Sequence, residues 1–212
     1  MHRNYKIKSH KTKYGGVLFR SVLEARWAVF FDSMGIEYTF EPHCFEVETG
    51  GREVIYKPDF LLPTLGLYVE IKPSKPYDIE NTKAAAWSKH IGDTMILFNL
   101  NPPTKDLENG WKFTCDDLER PPMRSTNYNW CECPKCGHVD IAELGEITSC
   151  GCYTIDDFNK MYEIEEEKDI VISPNFEKTR RLLTAYKRAI NHVFNKSRND
   201  KVSNLSAQLG LF

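Results

Sequence analysis

The spacing of apolar residues predicts an amphipathic helix early in the chain. Apolar side chains recur there three or four positions apart, namely Leu23, Trp27, Phe30 and Met34. Side chains at that spacing share one helix face. Ser21 and Glu24 have the spacing of a capping box, in which the Glu24 carboxylate bonds back to the N-cap backbone, and Gly35 is a stop signal. The pattern predicts a helix over residues 21–34.

After Gly35 the pattern becomes that of β-strands. Short runs alternate between apolar and polar residues or are rich in β-branched residues, and they are bounded by turn residues. The predicted strands are residues 36–41, 44–48, 52–56, 67–72, 94–100 and 111–115. Thr49-Gly50-Gly51 is a hairpin turn signal between two of them. Cys44, at the start of one strand, is interpreted as a small core residue.

A second helix is predicted over residues 78–91, with Ala84, Trp87 and Ile91 on one face. Lys83 and Lys89 of this helix either approach a substrate or are solvated. The resulting order is helix, three or four strands, helix, strand. This order predicts an α/β fold in which a central sheet forms the core.

The last third of the chain contains an acidic stretch, a basic helix and a polar tail. Residues 156–169 are predicted to be a solvated helix face, and the chain from residue 195 a flexible linker. Residues 176–194 predict a helix with an apolar side formed by Leu182, Leu183, Tyr186, Ile190 and Phe194. Its cationic residues are Arg180, Arg181, Lys187, Arg188 and His192. This helix either packs on the core and presents charge to DNA, or is an ordinary packed helix.

Size and charge limit the classes of function. With 212 residues the chain can bury one core and a smaller module. The net charge of −2 means that DNA binding would depend on local basic patches. Residues 1–20 are such a patch, since they contain six Lys and Arg residues and no acidic residue; they are either an arm along the phosphate backbone or a frayed terminus. No apolar run has membrane-spanning length, so we expect a soluble, cytoplasmic protein without a membrane partner.

The cysteines predict a metal site. Five of the seven lie between Cys131 and Cys152, which favours a metal site in a reducing compartment over disulfides. Cys133-Pro-Lys-Cys136-Gly has the form of a zinc knuckle. The predicted Zn²⁺ ligands are Cys133, Cys136, Cys150 and Cys152, with Cys131 as the substitute. A closed set of four thiolates favours a structural role, and His138 is interpreted as a surface residue.

Two carboxylates and a lysine form a second candidate site. Glu70 and Lys72 alternate with Ile71 on a predicted strand and therefore share one face. If Asp59 lies on the hairpin partner of that strand, both carboxylates and the ammonium converge. Such a pair of carboxylates suits a hard cation such as Mg²⁺. The alternative is an ion pair between Glu70 and Lys72 on a solvated strand face.

Pro58-Asp59 followed by Glu70-x-Lys72 resembles the signature of the PD-(D/E)xK nuclease superfamily. The resemblance extends over residues 19–100 and implies a restriction-endonuclease-like core. It also implies that Asp59 and Glu70 bind Mg²⁺ or Mn²⁺, and that Lys72 positions the attacking water. Glu24 matches the acidic residue that the first helix of this family often adds, so capping and catalysis compete for its side chain. The implied reaction is hydrolysis of a DNA phosphodiester that leaves a 5′-phosphate.

The C-terminal pentapeptide, residues 208–212, resembles the motif by which bacterial polymerases and repair proteins dock on the sliding clamp. The resemblance implies that Gln208 bonds at the pocket rim and that Leu211 and Phe212 fill an apolar pocket, next to Leu209. Gly210 departs from the Ser or Asp that is common at the third position. The alternatives are a terminal strand or an apolar tail that folds back on the core.

Together these features predict four segments. They are a nuclease core with a basic arm (1–120), a zinc-ribbon-like module (121–155), an acidic segment with a basic helix (156–197) and a tail with the clamp-like peptide (198–212). The predicted function is a metal-dependent DNA endonuclease in a bacterial or phage-infected cell, associated with the nucleoid. Cutting both strands would require a homodimer or a partner. The alternatives are a non-catalytic DNA- or clamp-binding adaptor and a zinc-stabilised protein-interaction module.

Overall fold

The structure is a computed structural model that describes residues 9–72, 83, 87, 95–99, 110–113, 128–143, 150–154, 156–157 and 179–194. For residues 49, 95–99, 110–113, 128–129 and 142–143 the description is limited to the backbone. Within these ranges the protein has a mixed α/β fold, as the hydrophobic pattern predicts. Two helices pack against a seven-stranded sheet, and two short antiparallel hairpins accompany it.

The chain enters the described region through a hairpin rather than an extended arm. Strand β1 (Thr12–Tyr14) pairs antiparallel with β2 (Val17–Phe19). The turn between them uses Gly15 and Gly16 at φ of 54° and 84°, a region that favours glycine. The Phe19 side chain is fully buried in the core. The prediction of a basic arm over residues 1–20 is therefore wrong for residues 12–19, and residues 1–8 lie outside the described chain.

Helix α1 (Val22–Met34) confirms the helix predicted from the apolar spacing. Ser21 is its N-cap, and Gly35 ends it in the left-handed conformation, with φ of 66°. The apolar and buried residues of α1 are not confined to one face, because they surround most of its circumference. Its buried apolar residues are Ala25, Trp27, Ala28, Val29, Phe30, Phe31 and Met34. Helix α1 is thus a central element of the core rather than a surface helix.

Five strands follow before the first gap in the described chain. They are β3 (Thr39–Phe40), β4 (Phe45–Thr49), β5 (Arg52–Tyr56), β6 (Phe60–Leu62) and β7 (Leu67–Lys72). The turn at Gly50 and Gly51 joins β4 and β5 as predicted. The strand predicted over residues 36–41 shrinks to β3, because its partner β6 offers three residues for pairing. Cys44 is exposed, so its interpretation as a core residue is wrong.

The main sheet has the order β11-β10-β9-β8-β7-β6-β3. Its remaining strands are β8 (Met95–Asn99), β9 (Gly110–Phe113), β10 (Tyr128–Glu132) and β11 (Val139–Glu143). Strands β7 and β8 are parallel, and all other pairs are antiparallel. A parallel pair needs a crossover connection, which the predicted second helix would supply. Of that helix the structure describes Lys83 and Trp87, both helical.

The cysteine-rich segment belongs to this sheet. Strands β10 and β11 form its edge, and Trp130 of β10 is buried against Phe30 and Phe31 of α1. Strands on both sides of the boundary predicted between residues 120 and 121 therefore belong to one sheet, while the boundary itself lies outside the described residues. The aromatic contacts bring β10 close to the first helix.

Helix α2 (Arg180–Asn191) packs on α1 and is shorter than predicted. Thr179 is its N-cap, and the chain is no longer helical at residues 192–194. Its buried face consists of Leu182, Ala185, Tyr186 and Ala189. Leu183, predicted on the apolar side, is exposed. The two helices approach each other through alanines rather than through large side chains. Tyr186 stacks on Phe30 of α1, with ring centroids 4.8 Å apart.

Candidate functional site

Glu24 lies in the first turn of α1 and takes part in capping that helix. The Glu24 N–H donates to Ser21 Oγ at 3.1 Å, and Ser21 Oγ donates to Glu24 Oε1 at 2.8 Å. The capping box predicts that the carboxylate accepts from the backbone of the N-cap residue Ser21. Instead, Glu24 Oε2 accepts from the N–H of Arg20, one residue earlier, at 2.9 Å. The Glu24 residue is 7 % exposed.

Asp59 lies directly before β6, at the position that faces Glu70 of β7. Phe60 pairs with Val69, so continuing this antiparallel register places Asp59 opposite Glu70. Asp59 Oδ2 accepts the N–H of Ile71 at 2.7 Å, and Asp59 O accepts the N–H of Glu41. The residue is 2 % exposed. The hairpin geometry that the Asp59–Glu70 spacing requires is therefore present.

Glu70 and Lys72 form a contact on one face of β7. Lys72 Nζ lies 2.7 Å from Glu70 Oε1, and the Tyr56 hydroxyl donates to Glu70 Oε2 at 3.1 Å. Glu70 is 7 % exposed. The ion pair of the alternative interpretation is therefore present, but Glu70 is buried rather than on a solvated strand face. Glu24, Asp59 and Glu70 together are called the carboxylate cluster below.

Arg20 connects this cluster to two further charged residues that the pattern of the chain did not reveal. Its Nη2 contacts Asp59 Oδ1, and its Nε lies 2.7 Å from Glu41 Oε1. The second Glu41 oxygen contacts Lys57 Nζ. The only local signal for Arg20 was its place just before the N-cap, which sets its backbone beside Glu24.

Burial and like charges perturb this cluster. Burial raises the pKa of the Asp59 carboxyl well above its ordinary value, and the nearby Glu70 and Glu24 raise it further. The Ile71 N–H and the Arg20 guanidinium act in the opposite direction. Burial also lowers the pKa of Arg20, but surrounding carboxylates, Asp59 foremost, outweigh burial and raise it. Burial and the neighbouring carboxylates therefore disfavour the charged form of Asp59.

Glu70 of the cluster lines a pocket of about 250 Å³. Cationic residues dominate its lining, which consists of Arg20, Ile55, Tyr56, Lys57, Glu70, Lys72 and Lys83. Lys83, one of the two helix lysines considered from sequence, therefore faces the site, whereas Lys89 lies outside the described residues. A small pocket with a carboxylate at its base and several cations around it suits an anionic group.

The four predicted zinc ligands come together in a second group. One side-chain sulfur from each of Cys133, Cys136, Cys150 and Cys152 lies within 4.8 Å of the others. A Zn–S length of about 2.3 Å gives a tetrahedron with edges of about 3.8 Å, so these thiols could hold a zinc ion with small adjustments. Within the described part of the chain, this cysteine cluster is the group placed closely enough to hold a metal. In the carboxylate cluster, Asp59 Oδ1 contacts the Arg20 guanidinium and Glu70 Oε1 contacts Lys72 Nζ.

Cys131 lies outside the cysteine cluster. It belongs to β10, is buried, and packs against Tyr153. Strand β10 ends at Glu132, so Cys131 lies within the strand, whereas Cys133 and Cys136 belong to the segment that turns after it. Gly137 follows this turn with φ of 74°, and its N–H donates to Cys133 O. Hydrogen bonds with the Cys136 and Cys150 side chains raise the pKa of the Cys152 thiol to about 12.

Arg181 of α2 attaches the cysteine cluster to the core. It bonds to Glu132 Oε1 at 2.8 Å, to Gly137 O at 3.3 Å and to Met34 O at 2.5 Å. The Thr179 hydroxyl donates to the other Glu132 oxygen. One of the two interpretations of this helix placed Arg181 on a DNA-facing basic surface, but the Arg181 guanidinium joins α1, α2 and the turn that carries Cys133 and Cys136. The contact between Glu132 and Arg181 was not predicted, because the two residues lie 49 positions apart in the sequence.

The clamp-like residues Gln208, Leu209, Leu211 and Phe212 lie outside the described residues, as does most of the acidic segment. Neither described helix has the length and apolar composition of a membrane span. Comparison with known proteins found no matching family model, no matching curated protein and no matching solved structure.

Proposed function

We propose that the protein is a metal-dependent DNA endonuclease of the PD-(D/E)xK type. The observation that carries this proposal is the convergence of Asp59, Glu70 and Lys72 across the β6–β7 hairpin. Glu24 of α1 lies close enough to raise the pKa of Asp59. Groups that perturb one another in this way are typical of catalytic sites.

The arrangement of elements around these residues supports the same proposal. An acidic residue from α1 approaches an antiparallel hairpin, and the second strand of that hairpin pairs in parallel with β8. This is the order that a restriction-endonuclease-like core would have. Since fold does not determine function, the weight of the proposal rests on the site.

The carboxylates fit a hard divalent cation by their chemistry. Three buried carboxylates offer oxygen ligands, and burial together with the neighbouring Glu70 and Glu24 raises the pKa of Asp59. Asp59 and Glu70, with Glu24, would hold Mg²⁺ or Mn²⁺ there. The ion would supply Lewis-acid activation of the phosphodiester and of water.

The chain's own residues would orient and polarise the reactants. Lys72, beside Glu70, would position the attacking water and stabilise charge that develops on the phosphate. Tyr56 would hold Glu70 in place through its hydroxyl. The product would carry a 5′-phosphate. Around this site the cationic lining of the pocket would bind the DNA backbone.

The cysteine cluster would hold a structural Zn²⁺. Four thiolates complete a tetrahedral site and leave no position for a substrate. The clamp-like tail would recruit the enzyme to replicating DNA through the bacterial sliding clamp. Cleavage of both strands would require a homodimer or a partner that supplies a second site.

Cleavage assays on supercoiled and single-stranded DNA test this proposal. Wild type is incubated with Mg²⁺, Mn²⁺ or EDTA beside Asp59→Ala and Lys72→Ala, and Glu53→Ala of the exposed face of β5 is the matched control. We expect metal-dependent cleavage that falls by about 10³-fold in both site variants and is unchanged in the control. Nicked or linear product reports cutting of one strand or two. Absence of cleavage with every DNA and metal would refute the proposal in favour of a non-catalytic adaptor.

A further inference from the structure

The two oxygens of Asp59 have different partners. The Ile71 N–H holds Oδ2 at 2.7 Å, and the Arg20 guanidinium contacts Oδ1. The Ile71 bond lies within the hairpin and fixes the orientation of the carboxylate. A divalent cation bound through Oδ1 would share that oxygen with the Arg20 guanidinium.

Arg20 has a second attachment that would persist if its contact with Asp59 were lost. Its Nε bonds to Glu41 Oε1 at 2.7 Å, and Glu41 is held by its own N–H bond to Asp59 O. Glu41 has φ of 48°, an uncommon conformation for a residue other than glycine. The Arg20 side chain is 50 % exposed and lines the pocket. Its Nη atoms can thus turn into the pocket while Nε remains on Glu41.

We propose that Arg20 exchanges Asp59 for a DNA phosphate when a divalent cation binds. A cation at about 2.1 Å from Asp59 Oδ1 would place a double positive charge beside the guanidinium, so the two compete for one oxygen. A phosphate in the pocket offers Arg20 a replacement anion whose oxygens match its forked donors. This inference rests on the proposed nuclease function and adds Arg20 to its substrate-binding residues.

Of the cations that line the pocket, Arg20 contacts the proposed metal ligand Asp59. Lys57 contacts Glu41, and Lys72 contacts Glu70. Lys57 therefore provides a matched control, because it shares the pocket and the Glu41 carboxylate with Arg20 but does not compete for Asp59 Oδ1. The comparison separates competition with the metal from a general effect of positive charge.

The first test measures Mn²⁺ binding without DNA by isothermal titration calorimetry at pH 8.5, where protons compete least. Arg20→Met removes the competing charge and is expected to bind Mn²⁺ about tenfold more tightly than wild type. Lys57→Met is expected to stay within about threefold of wild type, since its charge lies farther from Asp59. Unchanged or weaker Mn²⁺ binding by Arg20→Met would overturn the inference.

The second test measures the affinity for a short DNA duplex by fluorescence anisotropy, with Ca²⁺ or with EDTA. With Ca²⁺, Arg20→Met is expected to weaken DNA binding about tenfold, because Arg20 would then contact phosphate. With EDTA the loss is expected to stay within about twofold, because Arg20 is engaged by Asp59. Lys57→Met should lose affinity equally under both conditions. Equal loss by Arg20→Met with and without Ca²⁺ would contradict the exchange.

Arg20→Lys is the second variant, in case loss of the charge beside Asp59 prevents folding. It keeps the positive charge, so Mn²⁺ affinity should remain within about threefold of wild type. It lacks the forked donors, so DNA affinity with Ca²⁺ should fall about fivefold. The reverse pattern would contradict the inference.

The behaviour of wild type separates failure of this inference from failure of the proposed function. If wild type itself binds no Mn²⁺, the nuclease proposal and this inference both fail. If wild type binds Mn²⁺ and cleaves DNA but the variants behave alike, the inference alone fails.

Discussion

The carboxylate cluster and the cysteine cluster differ in how their charges are arranged. Residues from three elements meet in the carboxylate cluster, where Arg20 and Lys72 already contact its oxygens. The cysteine cluster consists of four like ligands at the end of the β10–β11 hairpin and on residues 150–152. Groups of both charge signs beside a pocket can orient and polarise a reactant, whereas four thiols complete the coordination of one ion. On this basis we propose a chemical role for the first cluster and support of the fold for the second.

The largest expected effect separates the members of the cysteine cluster from their neighbour in sequence. Cys133→Ser should reduce bound zinc from about one ion per chain to near zero, and it should lower the unfolding temperature, because a structural zinc ion stabilises only the folded chain. Cys131→Ser, outside the cluster, should retain zinc. Metal analysis by mass spectrometry and thermal unfolding check this. Loss of zinc in both variants would show that the ligand set is wrong.

Glu24 tests whether the carboxylate cluster uses a capping residue for chemistry. Glu24→Gln keeps a hydrogen-bonding side chain at the start of α1 but removes its charge, so it should lower Mg²⁺-dependent cleavage by about 30-fold with little change in stability. Ser21→Ala should do the opposite, with full cleavage per folded molecule and a loss of about 1 kcal/mol in the free energy of unfolding. Cleavage rates and urea unfolding measure the two effects. Full activity in Glu24→Gln would limit Glu24 to capping.

Arg181 tests the attachment of the cysteine cluster to the core. Arg181→Met leaves the buried Glu132 carboxylate without its cation and removes a bond to Met34 O, so the free energy of unfolding should fall by about 2 kcal/mol. Arg180→Met, an exposed neighbour on the same helix, should change it by less than about 0.5 kcal/mol. Chemical denaturation of the zinc-loaded protein measures both. Equal stability of the two variants would mean that Arg181 does not support the knuckle.

The smallest expected effect concerns the buried Asp59. Because its pKa is raised in the folded protein, the folded state binds more protons than the unfolded state once the pH exceeds about 4, and wild-type stability falls as the pH rises through the raised pKa. Asp59→Asn does not titrate. Without divalent cations it should therefore unfold at a temperature about 3 °C above wild type at pH 8, and this gain should vanish near pH 4. Thermal unfolding in EDTA at the two pH values checks the sign; a gain that grows towards low pH would contradict it.

The prediction of these sites from the sequence succeeded where the signal was local. The apolar spacing and the capping residues of α1, the glycine turn between β4 and β5 and the four thiols all occur within short stretches, and the structure confirms α1, the turn and the grouping of the thiols. The predicted burial of Cys44 and Leu183 was wrong, because the burial of a side chain depends on which other parts of the chain pack against it. The strand predicted over residues 36–41 was too long, because its partner β6 is short.

The sequence by itself determined the mixed α/β class, the main helix and the identity of the residues that could bind metal, since these depend on periodicity and on side-chain chemistry. Only the tertiary structure decided which charges meet. Arg20 contacts Asp59 across 39 positions, and Arg181 bonds to Met34 across 147. Such contacts carry no periodic signal, because they arise when separate elements pack and buried charges must find partners. For that reason the candidate ligands could be read from the chain, whereas the arginines that contact or support them could not.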